Sequence, residues 1–286
     1  MKSLIIGGRG LVGSALSRRL PNALVGINVE PKRNSGQVYI DVTKYETLVK
    51  VFRTYRPDVV YLAAAMAHVD ACEDSQGADM VNVNGAFTII HLCESHESKL
   101  VYFSSSYVFD GKKDKPYTEA DEPNPINHYG EQKLLVESKI LESDIDSLII
   151  RTVGVYGVER AKKNFAKQVI NGLFSGKKVY VPSDQKVNPI LSTDLAKLTI
   201  KLAEKESGLW HVAGNTCLTK YEFAVKIAES FGLESMVVPK VSEDMKQKAL
   251  RPENGCLDCT QLRRANYEVP DLDGGLSHFL SMEFNG

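Results

Sequence analysis

Short apolar runs alternate with amphipathic helical stretches through the first half of the chain, and this alternation restricts the fold more than any other feature. "SLIIGG", "ALVGI", "QVYI", "DVVYLAAA", "KLVYFSSS" and "SLIIRTVGVYG" read as strands. Between them, "LVGSALSRRL", "YETLVKVFRTYR", "GAFTIIHLCESH" and "YGEQKLLVESKILE" read as helices. Strands that are continuous apolar runs, joined through helices, belong to a parallel sheet covered on both faces. The expected class is therefore α/β, a doubly wound parallel sheet. The regularity weakens after about residue 157. "KNFAKQVINGLF", "TDLAKLTIKLAE" and "TKYEFAVKIAESFG" still read as helices and "GLWHVAG" as a strand. Two regions are expected: a dinucleotide-binding domain over 1–157, with a return at about 186–214, and a smaller C-terminal α/β substrate-binding region over 158–286.

"GGRGLVGS" sets Gly7, Gly10 and Gly13 three residues apart, directly after the first strand and at the start of the first helix. Glycines permit a tight turn and close backbone approach. The helix N-terminus beyond them offers free N–H groups and the positive end of the helix dipole to a pyrophosphate. In this strand-loop-helix context the motif indicates a Rossmann-type dinucleotide site. The residue expected to meet the adenosine ribose at the end of the second strand is Asn28, not an acid, although Glu30 follows two residues later. Arg9 lies in the loop, and Lys32 and Arg33 just beyond the strand. A guanidinium suits a 2′-phosphate, so NADP(H) is favoured and NAD(H) stays open; solvated loop cations are the alternative reading. Asp41 is placed to accept from the adenine amino group or to cap the next helix.

Charge excludes other partners. Lys plus Arg (35) nearly balance Asp plus Glu (36), which leaves no electrostatic footprint for nucleic acid or an anionic membrane. No apolar run approaches the roughly 20 residues of a membrane span, and no signal peptide is read. Five cysteines, an odd number, in a chain of 286 residues suggest reduced thiols and a cytoplasmic location. The pair Cys256 and Cys259 forms a C-x-x-C without a second half, so it reads as coincidence and no metal site is expected.

"HYGEQK" places Tyr129 and Lys133 four residues apart on one helix face. The pair is either a solvated surface couple or a proton donor beside a tuning cation. Ser105 ends the fifth strand in "FSSSYVFDG", where open α/β sheets present their ligands. Together with the glycine loop, these residues favour the proton donor.

At this point the chain resembles the extended short-chain dehydrogenase/reductases of the dTDP-4-dehydrorhamnose reductase type. The matching segments run nearly end to end: "GGRGLVGS", "DVTKYETLVKVFRTYRPDVVYLAAAMAHVDACE", "VNVNGA", "SSSYVFDG", "PYTEADEPNPINHYGEQK", "IIRTVGVYG", "NF", "STDLA" and "RPENGCLD". The resemblance implies Tyr129 as general acid, Lys133 as its partner, Ser105 as the hydroxyl that orients the carbonyl, and Asn82 as a fourth member. It implies cofactor contacts from Gly7, Arg9, Gly10, Leu11, Val12, Gly13, Asn28, Asp41, Val42, Ala63, Ala64 and Ala65 besides Tyr129 and Lys133. Substrate contacts are expected from Ser105, Ser106, Tyr107, His68, Asn164, Phe165 and Arg251, the last meeting a diphosphate. A fixed ammonium at Lys133 is expected to lower the Tyr129 pKa.

The activity implied is NADPH-dependent reduction of a nucleotide-linked 4-keto-6-deoxysugar. Ser106 and Tyr107 stand where related dehydratases carry an Asp-Glu pair, so dehydration lacks its groups. An epimerase on the same scaffold is a neighbouring alternative. A regulatory subunit resembling the methionine adenosyltransferase β subunit is another. Gly154 replaces the family's aromatic beside the sugar, and Ala15 replaces the acid of metal-linked dimers. A homodimer stays open.

Overall fold

The computed structural model describes residues 1–33, 35–74, 76–159 and 164–284. Its centre is a seven-stranded parallel sheet: β1 (Ser3–Ile6), β2 (Leu24–Ile27), β3 (Gln37–Tyr39), β4 (Val59–Leu62), β5 (Lys99–Ser105), β6 (Ser147–Thr152) and β7 (Gly208–His211). The spatial order is β7-β6-β5-β4-β1-β2-β3. The chain runs outward from β1 to β3, crosses back to β4, and continues outward to β7. The order reverses beside β1, where open α/β sheets bind ligands. The fold is the doubly wound α/β arrangement expected from the alternation of runs.

The period of two along the strands separates two cores. Ile5, Val101, Phe103 and Ile150 enter one, with Ala15 and Leu16 of α1 (Leu11–Arg19). Leu4, Ile6, Leu100, Tyr102 and Ile149 enter the other, with Leu48, Val51 and Phe52 of α2 (Tyr45–Tyr55). After β4 come the short helices α3 (Val69–Cys72) and α4 (Gln76–Asp79). A π-helical turn, Met80–Asn84, then leads into α5 (Gly85–Ser95). The helix that follows β5 is α6 (His128–Leu141); its Val136 and Ile140 join the second core.

A third core forms beyond the sheet. It holds α7 (Phe165–Phe174), α9 (Lys220–Glu229) and a parallel pair of strands, Val179–Pro182 with Val237–Lys240. Between these helices, α8 (Ser192–Lys205) returns to the first core through Leu195, Leu198 and Leu202. The short α10 (Thr260–Arg264) and the longer α11 (Leu272–Phe284) complete the chain. The helix read at "KNFAKQVINGLF" begins with Lys163, which lies outside the described residues; the structure starts α7 at Phe165.

The cysteines depart from the sequence reading. Cys217 and Cys256 form a disulfide, with Cα atoms 5.8 Å apart although 39 residues separate them. It joins the loop after β7 to the loop after Arg251, a proximity that spacing along the chain does not reveal. Cys259 is buried with a free thiol, so the C-x-x-C is not itself a bonded pair. Among the described residues no helix is long and apolar enough to cross a membrane.

One buried ion pair clamps α6 to the sheet. Arg151 of β6 donates to Glu137 through Nε (3.0 and 3.2 Å) and Nη2 (2.6 Å), with both side chains nearly inaccessible. Removing one partner of a buried pair strands the other charge in a medium that solvates it poorly. Glu137→Gln should therefore cost about 3–5 kcal/mol in urea unfolding. A loss below about 1 kcal/mol, the scale of exposed pairs, would contradict this account of the clamp.

Candidate active site

The glycine loop forms one wall of a groove of about 220 Å³ at the reversal of strand order. Gly7, Arg9, Gly10, Asn28, Asp41, Val42 and Ala63 to Ala65 all line it. Gly7 has φ of +96°, and a Cβ there would lie 2.5 Å from the Ala64 nitrogen, so the loop and the end of β4 can approach only with glycine. Leu11, Val12 and Gly13 open α1, whose N-cap, Gly10, makes no side-chain cap bond. Its first N–H groups are thus offered to an anion. No acid stands in that first turn, and Arg9 is exposed at the groove's rim. These residues fit a dinucleotide: a cradle that a Cβ would fill and an uncapped helix end.

Asp41 lines the groove but does not cap α2, whose N-cap is Lys44. Its Oδ1 accepts instead from the Thr43 hydroxyl at 2.7 Å and the Thr43 N–H at 3.0 Å. The Thr43 hydroxyl bond is the chief cause holding this carboxyl below its ordinary value. Glu30 is exposed and does not line the groove.

The face of α6 turned towards β5 is polar and buried. Tyr129 is 8% exposed, Lys133 4% and Ser105 8%. Asn127 caps the helix by accepting from the Gly130 N–H at 2.9 Å, and its own amide donates to the Leu250 carbonyl at 2.9 Å. Gly130 is required by close approach, since a Cβ there would meet the Tyr107 carbonyl oxygen at 2.1 Å. That contact seats the Tyr107 ring edge-on to the Tyr129 ring, with centroids 5.7 Å apart. Lys133 Nζ donates to the Phe103 carbonyl at 2.9 Å and lies over the Tyr102 and Tyr129 rings, 4.8 and 5.7 Å from their centroids. Ser105 follows at the end of the same strand, its hydroxyl accepting from the Tyr107 N–H at 3.3 Å. A cation, a phenol and a hydroxyl therefore converge where β5 meets α6.

The pKa direction corrects the sequence expectation. Burial pushes the Tyr129 phenol well above the ordinary tyrosine value, and Cys72 and Tyr107 push the same way; only the bond with Ser105 lowers it. Burial also lowers the Lys133 ammonium to about 8, against a weaker opposing effect of Glu137. Desolvation, which sequence spacing does not display, is the largest cause of both shifts.

Asn82 lies in the π-helical turn and is bonded to both main-chain polar groups of Met66. A second cleft, of about 330 Å³, opens on the far side of Tyr107. His68, Tyr107, Phe165 and Arg251 line it. His68 also caps α3, its Nδ1 accepting from the Ala71 N–H at 3.2 Å. Arg251 donates to Asp70 at 2.8 Å, and its guanidinium lies 6.0 Å from the Tyr107 ring centroid. Ser106 is fully buried, with no hydrogen-bond partner for its hydroxyl. Asn164 serves as the N-cap of α7 and donates to the Gly157 carbonyl, so it is not among the cleft's lining residues.

Sequence reasoning missed Lys220. This residue enters the same cleft, where Nζ donates to Gln185 Oε1 at 2.5 Å. Burial, and secondarily the Arg251 charge, lower its ammonium to about 8. Lys220 and Arg251 thus share one cleft, the latter paired with Asp70. The first residue of α9 carried no motif to single it out.

The RmlD substrate binding domain model matches residues 1–283. The chain belongs to this family. A solved structure of dTDP-4-dehydrorhamnose reductase from Bacillus anthracis, in complex with NADP, superposes with a TM-score of 0.88 at 28% identity, covering 98% of this chain and 99% of that one. The probable low-salt glycan biosynthesis reductase Agl14 of Haloferax volcanii is 32% identical over 273 residues, covering 92% of this chain and 91% of that protein. The methionine adenosyltransferase 2 β subunit of Rattus norvegicus is 30% identical over 271 residues, covering 91% and 80%.

As a member of the RmlD substrate binding domain family, the chain carries its polar convergence on α6 and β5 beside a glycine-walled groove and a cleft lined by Lys220 and Arg251. The depressed pKa of Lys133 is directly measurable. Its side-chain NMR signal should titrate with a midpoint near 8, the ammonium being present below that pH and lost above it. A midpoint at the free lysine value of about 10.4 would contradict the burial described.

Proposed function

We propose that this protein is an NADPH-dependent reductase of a nucleotide-linked 4-keto-6-deoxysugar, with Tyr129 as the proton donor. The observation that carries this reading is the convergence of Tyr129, Lys133 and Ser105 between the groove and the cleft. When bound, the cofactor supplies the hydride. Arg9 at the groove's rim and Asn28 in place of an acid support NADPH over NADH. Arg251 and Lys220 would receive the substrate diphosphate and leave the sugar facing Tyr107 and Tyr129.

The proton chemistry follows from burial. A raised pKa keeps the Tyr129 phenol protonated at neutral pH, the form a reductase needs. As the carbonyl oxygen gains negative charge, the phenol gives it a proton, and Ser105 orients it with a hydrogen bond. The tyrosinate left behind is favoured by the Lys133 ammonium, which the Phe103 carbonyl holds in place. Reduction should therefore decline as pH rises through about 8, where Lys133 loses its charge.

The likeness to the methionine adenosyltransferase 2 β subunit favours a second reading, a cofactor-binding regulatory subunit. One experiment separates the two. The protein is screened against nucleotide-linked 4-keto-6-deoxysugars, following NADPH absorbance, with Tyr129→Phe in parallel. A positioned acid contributes roughly 10²–10⁴-fold, so Tyr129→Phe should lower turnover by about that factor while NADPH still binds. Near-normal turnover in Tyr129→Phe would remove the catalytic assignment. No turnover of any keto-sugar, together with altered kinetics of a partner enzyme on binding, would establish the regulatory reading.

A further inference from the structure

We propose that Gln132 and Asp79 are positioning residues for the reaction above: they fix the amide of Asn82, and through it the loop between the cofactor groove and the substrate cleft. The inference rests on the reductase reading for its kinetic consequence, but not for its structural one.

The loop after β4 belongs to both cavities. Ala63, Ala64 and Ala65 line the groove, and Ala67 and His68 line the cleft. Met66 lies between them; the Cys72 thiol donates to its carbonyl at 3.4 Å, and Asn82 engages both of its main-chain polar groups. Asn82 Oδ1 accepts from the Met66 N–H at 2.8 Å, while Asn82 Nδ2 donates to the Met66 carbonyl at 3.0 Å. This works in only one of the two amide orientations.

The orientation is enforced from the other side. Asn82 Nδ2 also donates to Gln132 Oε1 at 2.7 Å, and Gln132 Nε2 donates to Asp79 Oδ1 at 2.7 Å. A carboxylate only accepts, so it demands the nitrogen end of Gln132. Gln132 must then present its oxygen to Asn82, and Asn82 its nitrogen to Gln132. His128 Nε2 stands 2.8 Å from the same Asp79 oxygen and anchors that carboxylate. Asn82 is 3% exposed and Gln132 2%, so water is a poor substitute for either bond. Gln132 lies three residues after Tyr129 and directly before Lys133, so one turn of α6 carries both the donor pair and the clamp. Asn82 lies at the middle of the π-helical turn Met80–Asn84, a rare geometry found mostly as single turns, frequently at functional sites.

Polarity reversal tests this in the full chain. Gln132→Glu sets two carboxylates face to face with no donor between them. Adding Asp79→Asn restores a donor–acceptor pair of opposite sense: the amide introduced at position 79 donates to the carboxylate at position 132, which still accepts from Asn82. The readouts are hydrogen exchange at the Met66 amide, the melting temperature, and kcat and KM with a confirmed keto-sugar and NADPH. Misplacement of a site by about 1 Å can cost 10²-fold, so kcat in Gln132→Glu should fall by about ten- to a hundredfold. Met66 exchange should accelerate, and the double variant should restore both. If Gln132→Glu does not fold, Gln132→Met, which removes both bonds without adding charge, should show the same losses and gain nothing from Asp79→Asn.

Unchanged Met66 exchange in the position-132 variants would overturn the proposal. So would a double variant that regains thermal stability and Met66 protection but not kcat. Absence of any turnover in the unaltered protein would instead defeat the reductase reading, and the exchange series would still decide whether the network holds the loop.

Discussion

The candidate site depends on the burial of a polar helix face. Helix α6 carries Tyr129, Gln132, Lys133 and Glu137 on the side packed against the sheet, and all four are buried. Such a face would normally oppose packing, because each polar group leaves water. The cost is met group by group. Arg151 neutralises Glu137 with three hydrogen bonds, the Phe103 carbonyl receives Lys133, and Asp79 and Asn82 satisfy Gln132. The Tyr129 phenol remains, with Ser105 beside it, and the proposed reduction rests on that pair. The proposed roles of the glycine groove and of the cleft lined by Lys220 and Arg251 rest on this face.

The same burial sets the electrostatics. A tyrosine and a lysine four apart on an exposed helix would each titrate near their ordinary values. Withdrawn from water, both shift towards their neutral forms, upward for the phenol and downward for the ammonium. The raised phenol holds its proton at rest, and the ammonium, although lowered to about 8, is still largely charged at neutral pH. In the proposed reduction, the departing proton leaves a tyrosinate that the ammonium would favour.

Much of this was legible in the sequence because it is local. Apolar runs of strand length alternating with helical patterns fix a doubly wound sheet, and the glycine triplet marks the reversal point that the structure confirms beside β1. Tyr129 and Lys133 are neighbours by helical period alone. What stayed hidden depends on tertiary proximity. Cys217 and Cys256 meet only because two distant loops fold together. Lys220 reaches the cleft from the start of α9, and Asp79 meets Gln132 across 53 residues. Helix α11 carries Gly274 and Gly275 inside it; packing of Leu272, Leu276 and Phe279 in the third core offsets the low helix propensity of glycine. Asn164, which matched a motif, also caps α7, because a residue type suited to binding is equally suited to a helix end.

The most direct measurement follows the hydrogen itself. The protein is incubated with NADPH carrying deuterium at the transferable nicotinamide position and a nucleotide-linked 4-keto-6-deoxysugar, and the product is read by NMR. The account predicts deuterium bonded to carbon 4 of the sugar, with the new hydroxyl proton drawn from the protein. Product lacking deuterium at carbon 4, or deuterium at any other carbon, would contradict it.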